Sequence, residues 1–162
     1  MTRAPRQSGF TLLELVLALV VIAAVLGMAA PSFSGWGRGQ KLRGAAEDFV
    51  TVARFGRVQA LQTASPHRLI ISPSDGRYYL TVQEGETFVE APGQLTRGRV
   101  PQDFQIQWTD QESAQRGFVE FAPNGRAQAA RVRLTSQYGE QIDVECASPT
   151  EGFRIIPPGE VR

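Results

Sequence analysis

Two helical periods and then a strand period follow one another along the chain. From Phe10 to Ala30 the sequence FTLLELVLALVVIAAVLGMAA runs for 21 residues with a single charge, Glu14. At ~1.5 Å per helical residue this run spans roughly 30 Å, the thickness of a bilayer's hydrocarbon core. Residues 41–63 are amphipathic instead. Leu42, Ala46, Phe49, Ala53, Gly56 and Ala60 recur at spacings of four and three, one face of a helix, while Arg43, Glu47, Arg54 and Arg57 lie mostly off it. The small residues on that stripe predict close approach to a sheet, and Pro66 marks the exit.

Beyond Pro66 the period changes to two. His67, Leu69 and Ile71 share a face, Pro73-Ser74-Asp75-Gly76 makes a turn, and Tyr78, Leu80 and Val82 alternate on the way back, a hairpin. Phe104, Ile106 and Trp108 alternate with Gln105, Gln107 and Thr109. Val119 and Phe121 precede the turn Pro123-Asn124-Gly125, after which Ala130, Val132 and Leu134 alternate with Arg131, Arg133 and Thr135. Ile142, Val144 and Cys146 form one face, and Phe153 to Ile156 closes the pattern. The expected fold class is α+β: a long N-terminal helix, membrane-spanning in its first half, packed on an antiparallel two-sheet, sandwich-like β domain. Residues 84–103 alternate weakly and read mostly as loop, with a short strand near Thr87–Val89; such a loop is a candidate contact surface.

At 162 residues and 17.7 kDa the chain has room for one ordinary domain and an appendage. The formal charge of +1 comes from the first nine residues: without Arg3 and Arg6, fifteen basic residues face sixteen acidic ones. That balance gives no general reason to expect nucleic acid or an acidic substrate. One cysteine, Cys146, allows no internal disulfide. His67 is the only histidine and begins an apolar strand face, and Cys146 extends one, so neither reads as a nucleophile or base. No CxxC, histidine cluster or glycine-rich phosphate loop is present, and Asp75, Glu84 and Glu86 lack the spacing of a calcium loop. No catalytic residue, metal site or cofactor is expected.

Three readings compete for the apolar run. A secretory signal peptide would use Gly27-Met28-Ala29 for cleavage, but the run exceeds the usual ~7–15 residues and holds a carboxylate. A plain membrane anchor fits the length and leaves Glu14 unexplained. In the third reading the helix is cut ahead of Phe10 and kept. Glu14 then lies one turn from the new amine, on the same face, and suits the positive end of the helix dipole.

The third reading matches a known pattern. Gly9-Phe10-Thr11-Leu12-Leu13-Glu14, after a short basic leader and before an apolar helix, resembles the processing site of type IV pilins and pseudopilins. The resemblance implies that a prepilin peptidase cuts after Gly9 and methylates Phe10, and that Glu14 neutralises the Phe10 amine of a neighbouring subunit in a filament. Pro31, the twenty-second residue after such a cut, has a counterpart in many members and implies a kink, with Gly27, Gly35, Gly37 and Gly39 weakening the same stretch. The chain then divides into a leader (1–9), a transmembrane and filament-core helix (10–30), a kink and amphipathic helix (31–63) and a periplasmic β domain (64–162).

LRGAAEDFVTVARFGRVQALQTASPHRLIISPSDGRYYL from Leu42 to Leu80, and FVEFAPNGRAQAARVRL from Phe118 to Leu134, narrow the resemblance to the H-type minor pseudopilins of type II secretion and related minor pilins. Implied partners are other minor pseudopilins, the major pseudopilin, the prepilin peptidase and an inner-membrane assembly platform. The implied location is the inner membrane with the β domain periplasmic; flanking charges do not orient the segment, because Arg38, Lys41 and Arg43 balance Arg3 and Arg6. Glu14 argues against the K-type tip subunit. The strand-rich domain, without an acidic calcium-loop pattern, argues against the major pseudopilin. The alternative is a FimT-like minor pilin that helps take up DNA. Those relatives carry a C-terminal arginine-bearing motif, whereas Glu151-Gly152-Phe153-Arg154 offers one arginine beside an acid. Arg126, Arg131 and Arg133 read as solvated strand-face charges, and nucleic acid is not expected as a partner.

Overall fold

The computed structural model describes residues 11–156, with the backbone alone for 27–36 and 38. It divides into two compact units, residues up to Arg38 and residues from Gly39 onward. A helical assignment, α1 (Leu12–Thr63), carries through Pro31 without interruption. In the first unit every described side chain of α1 is exposed, the large aliphatic ones from Leu12 to Leu26 included.

In the second unit, α1 packs its small-residue stripe inward. Leu42, Ala46, Phe49, Ala53, Gly56 and Ala60 are all buried, joined by Ala45, Val50 and Val52, which widen the face beyond the expected positions. Gly56 shows why the stripe is small: a Cβ there would sit 2.6 Å from a methyl of Leu80 and 3.1 Å from the Phe121 ring. The helix leaves through Ala64, which takes a left-handed φ of 50° at a place where glycine is common, and Pro66 follows.

Nine strands follow among the described residues, all paired antiparallel. Sheet A contains β1 (His67–Ser72), β2 (Arg77–Glu84), β3 (Thr87–Glu90), β4 (Arg97–Arg99) and β6 (Phe118–Phe121). Its order is β3-β2-β1-β6, with β4 pairing the other half of the β2 edge. Sheet B has the order β5-β7-β8-β9, from β5 (Phe104–Trp108), β7 (Ala130–Ser136), β8 (Gln141–Cys146) and β9 (Arg154–Ile156). A short helix, α2 (Gln111–Arg116), leads from β5 in one sheet to β6 in the other. The alternation seen in the sequence becomes burial: β7 alternates buried and half-buried over its whole length, and β1 does the same.

Segment 84–103 is more ordered than a loop. It holds β3, one residue longer than the expected strand, and also β4, which the weak alternation hid. Gly98 in β4 lies opposite Tyr78 in β2, and the absent side chain makes room for the Tyr78 ring and hydroxyl. Tyr78 is buried, and that burial, with Asp48 nearby, pushes its phenol up to about 12. Gly98→Ala would drive a methyl into the ring. The expected result is a loss of about 1–3 kcal/mol in chemical denaturation, the usual cost of overpacking.

The centre of the second unit is aromatic. Phe49 of α1 meets Tyr78 edge-on at 5.2 Å between ring centres and Phe153 at 5.9 Å, and Phe153 meets Phe121 at 6.3 Å. Helix, sheet A and the segment before β9 are thereby joined through one residue, Phe153. Cys146 at the end of β8 is also buried, its thiol directed at the carbonyls of Ser148 and Glu151. Burial pushes that thiol's pKa up.

Candidate processing and assembly site

Helix α1 begins at Leu12 because Thr11 caps it. The Thr11 hydroxyl accepts from the Glu14 backbone N–H at 3.3 Å, and the Thr11 carbonyl receives the N–H groups of Glu14 and Leu15 at 3.1 and 3.2 Å. Thr11-Leu12-Leu13-Glu14 is the T-x-x-E pattern of a capping box, with the acid three residues after the cap. Glu14 stands in the first turn, exposed, where the unpaired N–H groups of a helix favour negative charge. Gly9 and Phe10 lie outside the described residues, as does the Pro31 side chain.

From Leu15 to Leu26 the helix presents no polar face. Eleven leucine, valine and isoleucine side chains between Leu12 and Leu26 are exposed, Leu12 by 84%. Covering them is worth roughly 15–30 kcal/mol at ~1.5–3 kcal/mol each, at or above the roughly 5–15 kcal/mol that holds a whole domain folded. Such a surface demands lipid or other helices. Among the described residues no helix is long and apolar enough to cross a membrane.

The arginines on β7 are engaged across the sheet. Arg131 reaches Glu145 at 2.7 Å, and Arg133 grips Asp143 with two bonds of 2.7 and 2.8 Å, both pairs lying in register between β7 and β8. On the outer face of sheet A, Arg68 pairs with Glu120 at 2.9 Å and lies over the Phe88 and Phe118 rings, 3.6 and 4.3 Å from their centres. The expectation of simply solvated Arg131 and Arg133 is therefore refined: a phosphate would have to compete with a carboxylate already in place. No group of three or more potential metal ligands occurs among the described residues.

Comparison with known proteins bears on both parts of the chain. Residues 4–30 match the prokaryotic N-terminal methylation motif. The type II secretion system protein H of Xanthomonas campestris pv. campestris is 29% identical over 131 residues, covering 78% of this chain and 70% of that protein. The minor pseudopilin EpsH from the type 2 secretion system of Vibrio cholerae has the same fold, with a TM-score of 0.63 at 13% identity over 74% of this chain and 99% of that one. In motif, sequence and fold the chain is similar to H-type pseudopilins. The type IV minor pilin FimU of Pseudomonas aeruginosa shares the fold less closely, with a TM-score of 0.58 at 13% identity over 75% of this chain and 92% of that one.

The expected architecture, a helix packed on antiparallel sheets, is the one found. Sequence reasoning passed over Thr11, although the T-x-x-E spacing ahead of an apolar run was in plain view. It also passed over the cross-strand acids of β8, since pairing partners depend on register.

The Arg133–Asp143 pair gives the fold a pH signature. The Arg133 guanidinium holds the Asp143 carboxyl below the usual carboxylate range. A carboxyl depressed on folding stabilises the fold above its unfolded value, ~3.9, and that contribution is lost as pH falls through the folded value. Asp143→Asn should therefore lower stability at pH 7 and flatten the decline below about pH 4. Denaturation midpoints from pH 7 to pH 2 check this; an acid decline as steep as in the parent chain would remove Asp143 from the account.

Proposed function

We propose that this chain is a minor pseudopilin of a type II secretion system, a structural subunit near the tip of the periplasmic pseudopilus that assists export of folded proteins across the outer membrane. The observation that carries the reading is the N-terminal processing pattern joined to an apolar helix with one acid in its first turn, on a domain with the fold of H-type pseudopilins. Peptidase cleavage after Gly9 creates an amine at Phe10, which is methylated. The helix is held in the inner membrane with its N-terminus cytoplasmic and the β domain periplasmic, and Pro31 supplies a kink where the subunit leaves the bilayer. Assembly on an inner-membrane platform then moves the apolar surface from lipid to neighbouring helices of the major pseudopilin and other minor ones. The role is structural, not enzymatic.

Within a bundle of apolar helices the Phe10 amine of one subunit needs a partner, and Glu14 of its neighbour supplies it. Removing one member of a buried pair leaves an uncompensated charge, a penalty of about 3–5 kcal/mol. Glu14→Ala is therefore expected to be cut and inserted normally, yet to enter filaments poorly, with site-directed crosslinks to the next subunit falling at least tenfold. A deletion strain carrying this variant should leave its exported proteins in the periplasm. Normal export with impaired DNA uptake would instead favour the reading as a FimT-like minor pilin of a type IV pilus, the fold class that FimU also represents. The cross-strand pairing of Arg131 and Arg133 weighs against that alternative.

A further inference from the structure

Beside the last turns of α1 a slot of about 280 Å³ lies between the helix and the β2 region of sheet A, far along the chain from the processing site. Its apolar lining includes Phe55 on the helix and Leu80 and Val82 on the strand. Apart from the Gln59 side-chain amide, which can both donate and accept, the polar groups on its walls lean one way. The Nδ1 of His67 stands 3.0 Å from the Ser65 carbonyl, and a carbonyl only accepts, so Nδ1 carries the proton. In the neutral ring Nε2 then keeps its lone pair, on a residue 3% exposed. Thr63 spends its hydroxyl proton on the Gln59 carbonyl at 2.8 Å, and Thr96 spends its own on the Gly93 carbonyl at 2.7 Å. Lone pairs are what both hydroxyls have left to offer. Glu84 adds an exposed carboxylate, and no lysine or arginine lines the slot.

An apolar channel rich in acceptors, with one negative charge and no positive one, complements a side chain made of an apolar stem and a cationic, N–H-bearing tip. We propose that this slot receives a lysine or arginine side chain from a neighbouring filament subunit, its stem against Phe55 and Val82 and its N–H groups toward His67 Nε2 and the Glu84 carboxylate. The source of that side chain rests on the filament reading above; the slot's preference for a cationic amphiphile does not. A carboxylate-tipped side chain would meet lone pairs and a like charge. A purely apolar one would leave the His67 acceptor without a partner.

The single histidine makes the test clean. The full chain in detergent micelles, with ¹⁵N-labelled histidine, is titrated with n-butylguanidinium, with butanol and with butyrate. The expected spectrum of the neutral ring shows the proton on Nδ1, and butylguanidinium shifts the Nε2 signal saturably while butyrate and butanol do not. Glu84→Gln, at an exposed position, should weaken butylguanidinium about threefold. A proton on Nε2, an equal response to butyrate or butanol, no saturable response, or unchanged affinity in Glu84→Gln would each overturn the proposal. The titration needs no filament, so a chain that binds butylguanidinium yet fails the export test would refute the filament reading alone.

Discussion

A chain with Gly9→Leu is expected to retain residues 1–9, and intact-mass measurement of the membrane fraction should find almost no product beginning at Phe10. Two physical features combine there. The residue on the N-terminal side of the cut has no side chain, so a peptidase closing on the backbone at Gly9 meets nothing; leucine adds four carbons in that space. On the other side Thr11 caps α1, whose first described helical residue is Leu12. Retention has a second consequence. The free amine stays at Met1, nine residues upstream, where Glu14 of a neighbour would find no charge at the level of its own first turn. The uncut chain should therefore also fail to assemble, a double loss that Glu14→Ala does not share. A mature N-terminus at Phe10 in the Gly9→Leu chain would contradict the assignment of the cut.

Phe49→Ala should produce the largest loss of fold stability. Phe49 is wholly buried, lies on the inward stripe of α1, and holds edge-on contacts with both Tyr78 and Phe153. Removing a buried phenylalanine costs about 3–5 kcal/mol, against a total of roughly 5–15 kcal/mol for a domain. The lost edge-to-face geometry falls at the same place, since each such pair adds ~0.5–1.5 kcal/mol beyond burial. Urea denaturation of the full chain in detergent, followed by near-ultraviolet circular dichroism, should show the midpoint collapse. Phe49→Leu, which refills most of the volume, should show a smaller loss. Equal stability of Phe49→Ala and the parent chain would place the centre of the core elsewhere.

Much of this architecture could be read from local periodicity. The stripe from Leu42 to Ala60 named the buried face of α1, and the alternation around Leu69, Leu80, Ile106, Val132 and Val144 named strands that are all present. Local pattern fails where the decisive neighbour is distant in sequence. β4, Arg97-Gly98-Arg99, has no apolar face of its own; Gly98 belongs to the sheet because Tyr78 needs its space. α2 is six residues long, too short for periodicity, although Asp110 caps it by accepting from Ser113 N–H and Gly117 ends it with a left-handed φ of 73°. The return of β6 to sheet A, beside β1, rests on the register His67↔Phe121 and Leu69↔Val119. No spacing rule reports such pairings.

The N-terminal pattern is local for the opposite reason: in the proposed function Gly9, Phe10 and Glu14 act in a row, as a peptidase and a neighbouring helix would meet them. The residues that would contact another subunit through the β domain are drawn from several strands and a helix edge, so sequence order scatters them. His67 illustrates this. Read along the chain it is one member of an apolar strand face; in the fold it is the acceptor at a slot shared by α1, β2 and the 91–96 segment.

The position of Cys146 turns the chain into its own reporter. With the thiol enclosed between Ser148 and Glu151 and its proton held tightly, a maleimide added at neutral pH meets almost no thiolate in the native protein. Cysteines introduced on the exposed helix or at the slot can therefore be labelled or crosslinked against a silent background. The slow alkylation of the native thiol would then serve as a clock for how often the β8 end of the sandwich comes apart.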